Sequence, residues 1–113
     1  MNIRYFIITI LMSIISFSGY AQKNIKTDTF KVGGTCPMCK NRIESTVLKQ
    51  LAKSANWDIE SHQLTVKYDS TQVSSNKIKK ALAEAGHDSE GFRAEDRTYN
   101  NLPACWHYDR LGK

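Results

Sequence analysis

One stripe of apolar residues most narrows the folds open to this chain. From Pro37 to Lys53, Cys39, Ile43, Val47 and Leu51 recur every four residues with Leu48 beside them, while Lys40, Arg42, Glu44 and Lys49 fall elsewhere. That spacing describes an amphipathic helix of about four turns with one face against a core. Pro37 suits its first turn, where the missing N–H would have no partner, and puts Thr35 or Cys36 near the N-cap. The stripe needs a second layer, and the flanking segments supply it by changing period. Thr29-Phe30-Lys31-Val32 alternates and stops at Gly33-Gly34, a short strand entering a loop. Asn56-Trp57-Asp58-Ile59 and Gln63 to Asp69 alternate on either side of Glu60-Ser61-His62. They read as a hairpin with Trp57, Ile59, Leu64, Val66 and Tyr68 inward, and with His62 a turn residue at the end of the sheet away from the glycine loop.

A second helix follows, capped by Ser74 or Ser75, with Ile78, Ala81, Leu82 and Ala85 on one face and Gly86 as its stop. "HDSEGFRAEDR" then reads as a final strand with Phe92 and Ala94 inward, ahead of a less regular tail, "TYNNLPACWHYDRLGK". The order strand, helix, strand, strand, helix, strand predicts an α+β, ferredoxin-like βαββαβ sandwich. Its four-stranded antiparallel sheet carries two helices on one face.

Residues 1–21 stand apart from this pattern. Met1 to Arg4 gives a positive start, Phe6 to Phe17 an apolar run, and Gly19-Tyr20-Ala21 small residues for cleavage before Gln22. The stretch from Tyr5 to Ala21 falls short of the roughly 20 apolar residues of a spanning helix. A signal peptide at 1–21 implies a secreted or periplasmic mature protein, not embedded in a membrane. Residues 22–28 are then a polar lead-in, 29–95 the domain and 96–113 a C-terminal tail. The formal net charge of +5 is scattered, without the dense basic run that nucleic-acid binding needs. No nucleophile–base pair, phosphate loop or paired acids appear, which points away from an enzyme.

Three cysteines are an odd number for an exported disulfide framework, so at least one thiol is free or a ligand. Cys36 falls in the first strand-to-helix loop and Cys39 in the first helical turn. Backbone N–H groups and the helix dipole there favour thiolates. Two thiolates at this spacing suit linear Cu(I), or two corners of a Zn(II) or Hg(II) site. A structural zinc site takes four ligands, and the glycines make the loop deformable, which suits exchange. A disulfide or redox couple is the alternative, although the strand order and the lack of Trp-Cys-Gly-Pro-Cys differ from thioredoxin. In the tail, Cys105 and His107 flank Trp106 and can project to one side, completing a site or forming one. The competing reading buries Cys105 with Trp106 packed on the sheet.

"GGTCPMCKNRIE" resembles the Gly-Met-Thr-Cys-x-x-Cys signature of heavy-metal-associated domains, which include copper chaperones, copper-ATPase N-terminal domains and the periplasmic mercury-binding protein. The similarity runs from about Thr29 to Ala94, through the "ALAEAGH" that ends the second helix. It implies a metallochaperone whose metal thiolates are Cys36 and Cys39. The cargo would be Cu(I) first and Zn(II) or Hg(II) otherwise. The recipient would be a metal-transporting ATPase or another acceptor with a soft-ligand site. The carrier would be a monomer, or a metal-bridged dimer. Where the family has Met before Thr, this chain has Gly34, losing an apolar residue packed beneath the loop. Met38 is expected to face solvent as a partner contact. His87 replaces the usual aromatic after the second helix and, with Cys105, is a possible accessory ligand. Lys40 and Arg42 would offset the charge of a bis-thiolate centre or steer toward an acidic partner.

Overall fold

The computed structural model describes residues 24–111 and Ile3; the expected signal segment, apart from that residue, lies outside the described residues. Its elements are β1 (Ile25–Lys31), α1 (Pro37–Lys49), β2 (Ser54–Trp57), β3 (Gln63–Asp69), α2 (Ser75–Glu84) and a short α3 (Asp96–Asn100), followed by a 3₁₀ turn at Ala104–Trp106.

α1 starts as its sequence dictates, with Cys36 extended at the N-cap and Pro37 in the first turn. It ends about a turn earlier than the apolar stripe suggests. Gln50 caps it and Leu51 takes a left-handed φ of 68°. Leu51 is therefore 62% exposed, and Leu48 is also exposed, so the buried stripe contracts to Cys39, Ile43 and Val47. α2 opens on Ser74, whose hydroxyl accepts from the Lys77 amide at 3.1 Å. It closes through Gly86, at φ +102°, with Gly86 N–H on the Ala83 carbonyl at 3.0 Å and His87 N–H on Leu82 at 2.9 Å. This pair of bonds satisfies the last carbonyls of the helix.

The sheet has the order β1-β3-β2, with both pairs antiparallel. Phe30, Leu64, Val66, Tyr68 and Trp57 join Ile43, Val47, Ile78 and Leu82 in one core between the sheet and both helices. Lys31 pairs with Gln63, and Trp57 with Leu64, so the β2–β3 turn lies at the same end as the loop after β1. His62 accordingly sits at the glycine-loop end, the opposite of the expectation. Its carbonyl accepts from Val32 N–H at 2.9 Å, and its ring stacks on Trp57 at 5.6 Å between centroids. Ile59 also departs from the expected inner face: β2 stops at Trp57, and Ile59 stands in the turn, 38% exposed.

The fourth strand does not form among the described residues, and the sheet has three. Ser89 makes isolated bridges to Val32 and Phe92, and the Glu90 carboxylate, at 3.0 Å, takes the Lys31 amide that a neighbouring strand would have used. The cause is Asp88. Its side chain accepts from the Ala94 N–H at 2.7 Å and the Leu111 N–H at 3.1 Å, folding the segment round itself. Ala94 is buried as expected, whereas Phe92 is only half-buried.

The tail is likewise built rather than irregular. Arg110 grips Asp88 through two bonds, Nε to Oδ2 at 2.7 Å and Nη2 to Oδ1 at 2.9 Å, and Tyr99 donates to the Tyr108 carbonyl at 2.7 Å. The Tyr108 hydroxyl donates to the Gly86 carbonyl and accepts from the Asp88 amide, each at 2.7 Å. A carboxylate this deeply buried is tolerable only with such a complete set of partners.

Gly34 is explained by Trp57. A Cβ at position 34 would lie 2.8 Å from the indole Cη2 and Cζ2 atoms and 3.2 Å from Ile43 Cδ1. The indole thus fills the space beneath the loop that a side chain at position 34 would need. Gly34→Ala is expected to destabilise the protein by roughly 1–3 kcal/mol through overpacking. In urea denaturation, Trp57→Phe in the same chain should cost less than the sum of the two single changes, because the smaller ring relieves the clash. Strict additivity would remove this account of Gly34.

Candidate metal centre

The end of β1 and the start of α1 hold the two thiols at different depths. Cys39, one turn into α1, belongs to the core and is fully buried, whereas Cys36 at the N-cap is half-buried. Their sulfurs lie 3.5 Å apart, in hydrogen-bond contact. Burial opposes ionisation of Cys36. The Cys39 N–H and thiol, with the Met38 N–H, outweigh burial and hold Cys36 below the ordinary thiol value. At Cys39 burial wins and pushes the thiol up, with the neighbouring Cys36 sulfur adding to the effect. The pair therefore gives up its first proton most readily at the outer sulfur.

A metal–sulfur bond on the order of 2.3 Å sets two coordinated sulfurs about 3.8 Å apart in a tetrahedral site and about 4.6 Å in a linear one. The observed 3.5 Å separation asks for a modest opening. Cys36, extended at the edge of the helix, is the residue free to make it. Among the described residues no group of three or more His, Cys, Asp or Glu side chains gathers as a metal site.

His87 is fully buried, with Nδ1 at 2.9 Å from the Gly33 carbonyl and Nε2 without a hydrogen-bond partner. The first contact implies an Nδ1–H donor and a neutral ring, in keeping with burial that lowers its pKa. Cys105 is exposed on the 3₁₀ turn, contrary to the buried alternative, while Trp106 beside it does pack on the core. His107 turns away, with Nε2 at 3.0 Å from the Leu102 carbonyl and its ring stacked on Tyr99 at 4.7 Å. Met38 is 59% exposed beside the thiols, as expected. Lys40 reaches toward β2, bonding Glu44 at 2.7 Å, Asn56 at 3.0 Å and the Trp57 carbonyl at 2.7 Å. Arg42 donates to the Ala85 carbonyl at 3.1 and 3.3 Å and lies 5.6 Å over the Trp106 ring. Both cations thus make bonds within the fold, Lys40 toward β2 and Arg42 to the end of α2.

The residues that sequence reasoning missed are in the tail. The Cys39 sulfur is 3.9 Å from the Trp106 carbonyl, and the Tyr108 ring occupies the place where a Cβ on Gly33 would go. The one local hint was Gly33, the first glycine of the pair, which marks a close approach without naming its partner.

The model of the heavy-metal-associated domain family matches residues 29–88. The copper chaperone CopZ of Staphylococcus haemolyticus (strain JCSC1435) is 35% identical over 57 residues, 50% of this chain and 84% of that protein. The crystal structure of oxidized MerP from Ralstonia metallidurans CH34 is similar at 30% identity and a TM-score of 0.55, over 57% of this chain and 93% of that one. The N-terminal domain of a potential copper-translocating P-type ATPase from Bacillus subtilis, in the Cu(I)-loaded state, is similar at 27% identity and a TM-score of 0.55, over 57% of this chain and 84% of that one. The family match stops at Asp88, the residue on which the tail is hung.

Two buried groups contribute to the acid response. His87 holds a lowered pKa in the fold, so the unfolded chain takes up a proton first as pH falls below its ordinary 6.5, and stability drops from that point. Burial of Asp88 is outweighed by Arg110, which depresses its pKa; that stabilisation is present above the ordinary 3.8 and is lost as pH falls through the folded value. Thermal melts from about pH 8 to pH 3 should therefore show two declines, and His87→Gln should remove the upper one. Persistence of the upper decline in that variant would assign it elsewhere.

Proposed function

The chain belongs to the heavy-metal-associated domain family, and from that premise we propose that it captures one soft cation, Cu(I) before Hg(II) or Zn(II), between Cys36 and Cys39 and passes it on by thiolate exchange. The carrying observation is the pair itself, an outer sulfur inclined to ionise beside an inner one fixed in the core, 3.5 Å apart. Two thiolates hold a soft cation firmly while leaving room for an incoming sulfur, which is the requirement of a carrier rather than of a structural site. The neutral His87 ring holds the Gly33 carbonyl through Nδ1, and among the described residues neither it nor Cys105 gathers with the pair as a third ligand.

The names of the similar proteins support copper as cargo and a copper-translocating P-type ATPase as recipient, with mercury as the next candidate metal. The apolar leader supports export, cleavage before Gln22 and work as a periplasmic or secreted carrier. Anaerobic titration of the reduced mature protein against a Cu(I) chelator should give about one ion per chain, and Cys36→Ser with Cys39→Ser should abolish uptake. Unchanged affinity in the double variant would end this reading. Catalysed reduction of a test disulfide without Cu(I) uptake would replace it by a thiol–disulfide function. Purification from the periplasm with Gln22 as first residue would support export, and retention of Met1 would refute it.

A further inference from the structure

Resting on the two-thiolate reading above, we propose that Trp106 is a positioning residue that closes the Cys39 side of the site, so that the cation is exchanged through Cys36. The tail brings a backbone carbonyl to the inner sulfur, with Trp106 O 3.9 Å from Cys39 Sγ, while the indole packs on the same core. Three sets of contacts fix that placement. The 3₁₀ turn is closed by Trp106 N–H on the Pro103 carbonyl at 2.8 Å and His107 N–H on Ala104 at 3.2 Å. Arg42 lies 5.6 Å over the indole while donating to the Ala85 carbonyl, joining α1, the end of α2 and the tail. Two residues on, Tyr108 is wedged at Gly33, and Arg110 is locked on the buried Asp88.

This cover is braced, unlike a hinged lid. The opposite side of the thiol pair has no such cover: Cys36 is half-buried and Met38 stands out beside it. An acceptor thiolate therefore reaches the cation from the Cys36 side. Its sulfur forms a new bond to the ion as the Cys36 bond breaks, Cys36 leaves as a thiolate, and no oxidation state changes. The bond to Cys39 breaks last, displaced by a second sulfur of the acceptor.

The test is site-resolved alkylation of the reduced, metal-free full-length mature protein with iodoacetamide, read by peptide mass mapping, together with Cu(I) transfer to a chelator. In the wild type Cys36 and Cys105 should label rapidly and Cys39 slowly. Trp106→Ala should raise the Cys39 rate about tenfold or more while changing Cys36 less than about threefold, since local opening and not thiol chemistry controls the inner site. Trp106→Phe should restore protection, and Arg42→Gln, which leaves Tyr108 and Arg110 in place, should give an intermediate rise. Cu(I) release from Trp106→Ala should also speed up. Should Trp106→Ala unfold, the Arg42→Gln arm decides by itself. If Cys39 stays as protected in folded Trp106→Ala or Arg42→Gln as in the wild type, or if Cys39 labels as fast as Cys36 in the wild type, the proposal is overturned. Loss of Cu(I) binding by the wild type would instead strike the underlying metal reading, whatever the alkylation pattern.

Discussion

The indole N–H of Trp57 is shared between two carbonyls, Val32 at 3.0 Å and His62 at 3.2 Å, and everything at the thiol end of the molecule is positioned from that bond. It ties the last turn of β1 to the β2–β3 turn, while the ring lies beneath Gly34 and the His62 imidazole stacks on it. A large ring fully removed from water contributes its apolar area to the core, and the two carbonyls leave the buried indole N–H satisfied. The loop before Cys36 is thus supported from below by a rigid plane. Glycine at position 34 is the condition for that support, since a side chain there would contest the same volume.

A second constraint acts from the tail. A ferredoxin-like sheet would ordinarily cover the outer edge of β1 with a strand; here a carboxylate organises the replacement. Asp88 collects bonds from Ala94, Arg110 and Leu111, and Tyr108 bridges its amide to the end of α2. Such a buried pair is poor evidence of net stability, because removing two charges from water offsets much of their attraction. It is better evidence of specificity: with one partner removed the other is stranded, so the tail has one way to close. That closure places Tyr108 against Gly33 and the Trp106 carbonyl against Cys39.

Most of this arrangement was legible wherever the signal is local. The strand, helix, hairpin and second helix follow from periodicity, from Pro37 and Ser74 at the helix starts and from Gly86 at a stop. The two thiols and their place between strand and helix follow from a motif spanning a dozen residues. What failed depends on pairings distant in sequence. Phe92 and Ala94 alternate like a strand, but Asp88 finds Arg110, 22 residues later, and bends the segment before it can join the sheet. Leu51 fits the helical stripe, yet the chain turns left-handed there. His62 was misplaced for a geometrical reason: in this order of elements the β2–β3 turn and the β1–α1 loop lie at one end. The packing of Trp106 was one reading of the Cys105-Trp106-His107 segment, but its approach to Cys39 and the seat of Tyr108 at Gly33 carry no local motif, and only the contacts reveal them.

The distribution of rigidity around the two sulfurs suits the proposed carrier, which would have to both hold and release a soft ion. Trp57 supports the loop from beneath, Tyr108 is seated at Gly33, His87 holds the Gly33 carbonyl at 2.9 Å, and Cys39 is fixed by the helix and core. The freedom that remains is concentrated at Cys36, an extended residue at the N-cap with no side-chain cap bond. A sulfur separation of 3.5 Å lies within about 1 Å of either the tetrahedral or the linear spacing, so rotation of that one side chain suffices. A uniformly stiff site would select one coordination geometry and resist an incoming thiolate, and a uniformly loose one would bear the entropy of ordering both sulfurs at every capture. In the proposed carrier, a buried Cys39 and a less buried Cys36 at the N-cap would confine the ordering to a single residue, and the same residue would be the one displaced.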